Sequence, residues 1–378
     1  MSLGTVEWDR ARVGPLGGPR GLRLNVDLPL LVTLLLVTGV GFVVLYSAVG
    51  ANLSLVFGQA VRFCIAFAVF FVLAQVQPHY LRLWTPWFYV AVLGLLLLVM
   101  VDGEIGKGAQ RWLRVGFFTF QPSELMKLAV PMMVAWYMHD RHLPPRTRHL
   151  LVMAVFVLVP ALLIERQPDL GTALLVAASG GLTILLAGLS VRILIMLGLV
   201  GLAAAPLHWM FAMSTYQKAR VLSFLSPESD PLGTGYNGIQ AKIAIGSGGL
   251  FGKGWLNGTQ AHLEFLPERS TDFIFAVMAE EFGLLGLLLL LALYMILIGR
   301  GLYIAAQAQD TFTRLLAGAL SLTFFIYVFV NAGMVSGLLP VVGVPLPLVS
   351  AGGTSMVTLM AGFGMLAAIG GHRKLLAP

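Results

Sequence analysis

Charged residues are scarce in this chain. They make up 11% of the 378 residues, whereas soluble domains carry about 25%. Hydrophobic residues reach 58%, and the mean hydropathy is +0.88. This composition excludes a water-soluble globular protein and predicts a polytopic membrane protein.

Cysteine is also nearly absent, since Cys64 is the only one. A disulfide framework and a cysteine-based zinc site are therefore excluded. The net charge of +7 does not indicate nucleic-acid binding, because the basic residues are dispersed between apolar runs. Anionic membrane lipids are the expected partners.

The N-terminal 26 residues are rich in Arg, Gly and Pro and lack the apolar core and cleavage site of a signal peptide. We expect residues 1–26 to form a disordered cytosolic tail, 27–372 the membrane domain and 373–378 a cytosolic C-terminus.

Apolar runs long enough to cross about 30 Å of hydrocarbon recur along the chain. They lie at about 28–48, 55–76, 85–101, 123–138, 149–164, 170–189, 191–210, 272–299, 313–338 and 350–370. The fold class predicted is all-α, with about ten transmembrane helices. Arginines in the short loops on one side place both termini in the cytoplasm, and 211–271 becomes one large extracellular loop.

The segment from Glu264 to Glu281 joins this predicted outer loop to the longest apolar run, with Asp272 at the junction. Ser270 and Thr271 are plausible N-caps, which would place Asp272 in the first turn of a helix, where a carboxylate is favourable. Asp272 is therefore either a capping residue or a functional carboxylate. The functional interpretation gains weight because most polar residues of the chain fall on the same predicted face.

Two further stretches carry polar residues into that face. Gln110 and Arg111 follow glycines that allow close backbone approach to a ligand, and Glu124 and Lys127 lie at i,i+3 on one helix face. Ionisable residues entering a membrane usually serve function, although a Glu124–Lys127 ion pair could simply neutralise both charges. Asp169 follows Pro168 at the start of another span, where it is either a helix cap or a site residue.

The outer loop contains a helical pattern over 236–249, followed by glycine-rich turns. We expect an interfacial or re-entrant helix ending in a glycine turn. Residues 339–355 hold three prolines and a Gly-Gly pair, which predict non-helical backbone at the membrane. Around a helix, Glu280 lies about 80° and Glu281 about 180° from Asp272, so the three cannot share one face. Glu280 either lines a central cavity or forms a buried structural pair with a backbone group or with an arginine such as Arg62.

The order and spacing of several strings resemble the SEDS family (shape, elongation, division and sporulation proteins), in its RodA branch. These strings are GAQRWL (108–113), QPSELMKLA (121–129), QPDLGTA (167–173), IGSGGLFGKG (245–254), GTQ (258–260), LPERSTDFIFAVMAEEFG (266–283) and PVVGVPLPLVSAGGTS (340–355). The resemblance covers about 28–372. One departure is Ala351, where the family often has tyrosine.

The resemblance implies ten helices with a large extracellular loop. It also implies peptidoglycan glycosyltransfer: lipid II is polymerised into glycan strands at the outer face of the bacterial cytoplasmic membrane, beside a class B penicillin-binding protein that cross-links the strands. Asp272 would be the essential carboxylate, with Glu124 and Lys127 nearby.

The expected chemistry is an inverting displacement with Asp272 as the base. Lys127, Arg111, Lys253 and Arg269 would hold the diphosphate of the donor. Gln110, Asp169 and Ser350 complete the expected substrate-binding set. A divalent cation, Mg²⁺ or Mn²⁺, could bind through Asp272 or Glu124, and no organic cofactor is expected.

The alternative is a lipid II flippase. A transporter needs polar residues near the midplane and on both faces. The predicted inner loops are only connectors dotted with arginine, and the midplane offers little beyond Glu280, Glu281, Arg62 and Asn331. The sequence therefore favours the enzyme.

Overall fold

A computed structural model describes residues 26–106, 109–115, 118–211, 213, 215–226, 235–263 and 265–372. The tails predicted at 1–26 and 373–378 lie almost wholly outside these residues. Their expected disorder and cytosolic location stay predictions.

The described residues form thirteen helices and three short strands. The helices are α1 (Leu28–Ala48), α2 (Leu53–Gln75), α3 (Pro78–Asp102), α4 (Pro122–Met138), α5 (Thr147–Arg166), α6 (Leu170–Leu186), α7 (Val191–Phe211), α8 (Thr215–Leu225), α9 (Tyr236–Gly248), α10 (Thr259–His262), α11 (Ile274–Ala306), α12 (Thr311–Ser336) and α13 (Thr354–Gly371). Each of the ten predicted spans corresponds to one helix. The helical membrane fold is therefore confirmed, while the orientation of loops and termini stays a prediction.

Within the described ranges, eight helices are long and apolar enough to cross a membrane. The other two predicted spans, α4 and α6, have 17 residues each. Helix α4 is less apolar because it carries Glu124 and Lys127. A short polar span is tolerated only when other helices surround it, and α4 is indeed buried along most of its length.

Polar caps fix several helix ends. Asp27 accepts a hydrogen bond from Leu30 N at 3.1 Å and caps α1, while its carboxylate pairs with Arg300 of α11 at 2.6 Å. Asp310 caps α12 through Thr313 N at 2.9 Å. Helix α11 packs against α1 and α12, and α13 packs against α2. Among the eight candidate spans, α12 and α13 are the most buried and so form the apolar centre of the bundle.

A small antiparallel sheet adds to the all-α prediction. Strands β1 (Glu104–Gly106), β2 (Ala109–Val115) and β3 (Phe118–Phe120) pair in that order between α3 and α4. The sequence reading missed it because the strands are short and have no long apolar run. Strand β2 contacts both α3 and α4 and so fixes Arg111 and Trp112 beside the start of α4.

The predicted re-entrant helix is present as α9, and Gly249 ends it with φ of 58°. The turn that follows inserts into a break in α11 at Gly283, where φ is 63° and ψ is −162°. There Lys253 N donates to Glu280 O at 2.9 Å, and Leu284 N donates to Gly249 O at 3.0 Å. These hydrogen bonds replace the intrahelical hydrogen bonds that the break removes. They join the predicted outer loop to α11 through the backbone.

Candidate active site

A cavity of about 550 Å³ opens where α4, α6, α11 and α13 begin. Its polar lining includes Arg111, Gln121, Glu124, Lys127, Asp169, Arg220, Glu268, Thr271, Asp272, Thr354 and Ser355. Four of the sequence-predicted stretches thus meet at one place: β2 with α4, the start of α6, the approach to α11 and the loop before α13.

Asp272 lines this cavity but does not cap a helix. Helix α11 begins at Ile274 with Phe273 as N-cap, so the prediction of Asp272 in the first helical turn is wrong. Instead, Thr271 Oγ1 donates to Glu268 Oε2 at 2.7 Å, and Phe273 N donates to Glu268 O at 3.2 Å. The Thr271 hydroxyl is therefore bonded within a tight turn and does not cap the helix. Asp272 belongs to this turn and precedes the first residue of α11.

Two side chains hold this turn against the proline-rich loop. Ser350 Oγ donates to Thr271 O at 2.5 Å and accepts from Leu346 N at 2.8 Å. Asn331 Nδ2 donates to Asp272 O at 3.0 Å and to Val344 O at 2.7 Å. Ser350 is buried and outside the cavity lining, so its geometry suits positioning of Asp272 more than contact with a ligand. The sequence identified Asn331 only as a polar residue within a span and did not predict its contact with the backbone of Asp272.

Glu124 and Lys127 form a buried ion pair beside Asp272. Lys127 Nζ lies 2.6 Å from Glu124 Oε1, and the two side chains are only 5% and 9% exposed. Lys127 Nζ also lies 4.6 Å from the ring centroid of Tyr327, while Glu124 Oε2 is buried without a hydrogen-bond partner among the described residues. The pair therefore lines the cavity with one oxygen still available.

Arg111 and Asp169 form the opposite side of the cavity. Arg111 donates to Gln167 O and, at 2.5 Å, to Pro168 O, and its Nη1 lies 3.7 Å from Asp169 Oδ2. Asp169 caps α6 through Thr172 N at 3.2 Å, so the capping interpretation is correct, although the carboxylate also lines the cavity. The side chain of Gln110 lies outside the described residues, and its predicted role stays a prediction.

Arg220 is a cavity residue that the sequence reading did not select. It comes from α8 and lies beside Gly343: a Cβ built there would be 3.8 Å from Arg220 Nη1 and 3.5 Å from Asp272 Oδ2. Gly343 has φ of 75°, which allows this close approach. In the sequence, Arg220 is one of two basic residues in a short stretch, and nothing there distinguishes it from Lys218.

The structure places Lys253 and Arg269 away from the cavity. Lys253 Nζ lies 2.7 Å from Glu280 Oε1 and donates to Thr259 Oγ1. Arg269 Nε donates to Ala48 O at 2.8 Å, at the end of α1. Neither lines the cavity, so the predicted diphosphate contact has no geometric support at these two positions.

Glu280 and Glu281 are buried and not exposed to the cavity. Glu280 bonds to Lys253, Thr259 and the Gln260 N–H, whereas Glu281 accepts from Ser47 Oγ. The suggested Arg62 partner is wrong, since Arg62 donates to Gln59 instead. Glu280 therefore fastens the predicted outer loop to α11, and Glu281 joins α11 to α1.

The cavity combines a carboxylate with several cations at the end of an apolar bundle. Such a set can take a proton from a hydroxyl and stabilise a negatively charged leaving group. Asp272 and Glu124 offer two carboxylates, and no cluster of three His, Cys, Asp or Glu suited to a metal occurs among the described residues. Mg²⁺ is commonly held by one or two carboxylates and completes its shell with substrate phosphates and water, so Asp272 and Glu124 are the residues that would hold it.

Comparison with known proteins identifies the chain. The family FTSW_RODA_SPOVE, described as "Cell cycle protein", matches residues 26–375. "Peptidoglycan glycosyltransferase MrdB" of Escherichia coli K12 is 50% identical over 94% of this chain and 96% of that protein.

Two solved structures share the fold. One, described as "Structural coordination of polymerization and crosslinking by a peptidoglycan synthase complex", matches with TM-score 0.80 and 31% identity over 91% of this chain and 97% of the other. The rod shape determining protein RodA of Thermus thermophilus matches with TM-score 0.70 and 30% identity over 92% and 97%. The predicted resemblance is confirmed, and the chain belongs to the FtsW/RodA/SpoVE family.

Proposed function

We propose that this membrane protein is a peptidoglycan glycosyltransferase that polymerises lipid II in the cavity beside Asp272. The observation that carries the proposal is the convergence of Asp272, the Glu124–Lys127 pair, Arg111 and Arg220 on one cavity at the end of the bundle. The 50% identical relative named peptidoglycan glycosyltransferase supports this reaction class.

In the proposed reaction, a sugar hydroxyl of the acceptor attacks the anomeric carbon of the donor. The new glycosidic C–O bond forms as the bond from that carbon to the diphosphate oxygen breaks, with inversion. Asp272 accepts the hydroxyl proton, and undecaprenyl diphosphate leaves with the bonding electron pair. Because the cavity lies where apolar helices end, the prenyl tails can stay in the membrane.

The cations stabilise the charge that develops on the leaving diphosphate. The Arg220 guanidinium matches phosphate oxygens in geometry, and Lys127 supplies a buried ammonium. Arg111 adds positive charge to the lining while its nitrogens bond to Gln167 O and Pro168 O. Lys127 is held by Glu124 and Tyr327, so little reorganisation is needed when charge develops. A divalent cation held by Asp272 or Glu124 would supply further charge stabilisation to the phosphates.

The flippase alternative is less consistent with the packing. Beyond the cavity, buried apolar residues such as Val134 of α4, Leu316 of α12 and Phe363 of α13 pack the bundle. Glu280, Glu281 and Asn331 are engaged in hydrogen bonds within the fold. The polar side chains named near the midplane are thus used by the fold, whereas a transporter needs such groups for its substrate.

The cavity is proposed to face the outside of the bacterial cytoplasmic membrane, as the arginine distribution predicts. A class B penicillin-binding protein is the proposed partner. The matched peptidoglycan synthase complex, which coordinates polymerisation and crosslinking, supports that pairing.

The decisive test is Asp272→Asn, which removes the charge and keeps the shape. The purified variant, with its transpeptidase partner, is assayed for glycan strands from lipid II. We expect a loss of about 100- to 10,000-fold in rate, as is typical for removal of a general base. The melting temperature and partner binding should stay at wild-type values, because Asp272 caps no helix.

Asp102→Asn is the matched control. It makes the same chemical change at an exposed position at the end of α3, outside the cavity lining. It should polymerise at the wild-type rate. If Asp272→Asn polymerises within a few-fold of wild type, Asp272 is not the base, and Glu124 becomes the candidate.

A further inference from the structure

A second cavity, of about 680 Å³, lies at the other end of the bundle. It opens at the first turns of α3 and α12 and the last turns of α4 and α13. Helix α11 runs from the active-site end to this end, and its continuous part after the break at Gly283 is about 35 Å long at 1.5 Å per residue. The two cavities therefore lie on opposite faces of the membrane domain.

The lining of this second cavity is rich in nitrogen donors. Its described titratable residues are His79, Arg82, His139, Asp310 and His372. Asp310 already caps α12 through Thr313 N. The lining thus holds one guanidinium and three imidazoles against one carboxylate, and a second carboxylate, the exposed Asp140, lies 3.6 Å from His139 outside the lining. This excess of nitrogen groups favours an anionic ligand.

Hydrogen bonds link three of these side chains. Arg82 bonds to His139 Nε2 and, at 3.2 Å, to His79 Nδ1. A guanidinium only donates, so both ring nitrogens accept. The second nitrogen of each ring, His79 Nε2 and His139 Nδ1, is then the one that can donate. His139 Nδ1 makes no hydrogen bond and lies 3.8 Å from Asp310 Oδ1. Gln77 makes no side-chain cap, so the open N-terminus of α3 adds partial positive charge.

The depth of the cavity points to a lipid. Tyr80, Trp84 and Trp87 lie on the opposite side of α3 from Arg82 and are 50%, 67% and 71% exposed. Such aromatic rings lie at the headgroup level of a membrane. His79 and Arg82, one helical turn from them, are therefore at the depth of the lipid phosphates.

We propose that this second cavity binds the phosphate headgroup of an anionic phospholipid, with Arg82 and His79 as its principal ligands. The acyl chains would lie along the exposed apolar and aromatic side of α3. The site is independent of the glycosyltransfer chemistry, because it shares no residue with the active-site cavity.

The test is lipid binding by the full chain, purified in neutral detergent and measured by native mass spectrometry. Dioleoylphosphatidylglycerol should bind, and dioleoylphosphatidylcholine should bind much more weakly. Arg82→Gln should weaken phosphatidylglycerol binding by about 10- to 100-fold, since it removes hydrogen bonds to a charged group. The matched control is Arg192→Gln, which removes the same charge from an exposed position at the same end, outside the cavity.

A second variant covers a loss of folding in Arg82→Gln. His79 is exposed, so His79→Glu should keep the wild-type melting temperature and still weaken phosphatidylglycerol binding through charge repulsion. Wild-type lipid binding by folded His79→Glu, or equal loss in Arg192→Gln, would overturn the proposal. Inorganic phosphate and glycerol 1-phosphate are tested as competitors. If either displaces the lipid at equal concentration, the cavity is a site for free phosphate and not for a lipid.

Discussion

The Glu124–Lys127 pair allows stability and catalysis to be separated experimentally. Lys127 Nζ is 2.6 Å from Glu124 Oε1, and both side chains are almost fully buried. Lys127→Met would leave the carboxylate buried, with Glu124 Oε2 already lacking a partner among the described residues. Removing one partner of a buried ion pair costs about 3–5 kcal/mol, because an uncompensated charge remains.

The double variant Glu124→Gln/Lys127→Met removes both charges. Replacing a buried pair by neutral groups of similar volume is often close to neutral in stability. We therefore expect the double variant to recover most of the melting temperature that Lys127→Met loses. Its polymerisation rate should stay reduced by about 100-fold or more, because the ammonium no longer stabilises the leaving diphosphate.

The measurements are thermal unfolding in detergent, followed by tryptophan fluorescence, and glycan synthesis from lipid II. The exposed pair of Arg114 and Glu104, at 3.6 Å on the same side of the protein, is the control. Its double replacement should cost less than about 1 kcal/mol and leave the rate unchanged. Near-wild-type polymerisation by the Glu124→Gln/Lys127→Met variant would refute the reasoning and show that the pair only neutralises charge.

Other regions give three further predictions. Lys253→Met should destabilise the protein by about 1–3 kcal/mol, because the buried Glu280 loses its charged partner but keeps Thr259 and the Gln260 N–H; here the Lys253→Met/Glu280→Gln variant should recover both stability and activity. Gly283→Ala should lower the melting temperature, since φ is 63° and a Cβ would lie 2.4 Å from a backbone nitrogen of the inserted turn. Ser226→Cys and Gln307→Cys should label with an impermeant reagent from opposite sides of the membrane.

Each of these has its own check. If Lys253→Met/Glu280→Gln stays inactive although stable, Lys253 takes part in the reaction after all. Gly299→Ala, in the same helix with open space at its Cβ position, should melt at the wild-type temperature. The labelling is done in a Cys64→Ala background, and labelling of both cysteines from outside would contradict the ten-span topology.

Hydrophobic length was sufficient to predict the membrane helices. A span is a local property, because every apolar residue in a run of about 20 contributes to the same transfer free energy. The run predicted at 28–48 has the observed bounds of α1, and α9 is where the glycine-bounded pattern placed it. Helix α3 begins seven residues before its predicted start at 85, because its first turns are polar and aromatic and carry a weaker signal.

The site residues were predictable by type and only partly by position. Asp272, Glu124, Lys127, Arg111 and Asp169 were selected because charged residues are rare in this chain and cluster at helix ends. The structure brings these five to one cavity. Periodicity placed Asp272 inside a helix, because Ser270 and Thr271 resemble caps; the Thr271 hydroxyl binds Glu268 instead.

Only the tertiary structure decided which charged groups satisfy one another. Lys253 pairs with Glu280, 27 residues away, and Ser350 bonds to Thr271, 79 residues away. Arg220 reaches the cavity because α8 packs beside Gly343, a close approach that no sequence pattern indicates. The sequence determines where hydrophobic free energy places each segment in the membrane. The packing of distant segments determines which polar atoms find partners within the fold and which remain for a substrate.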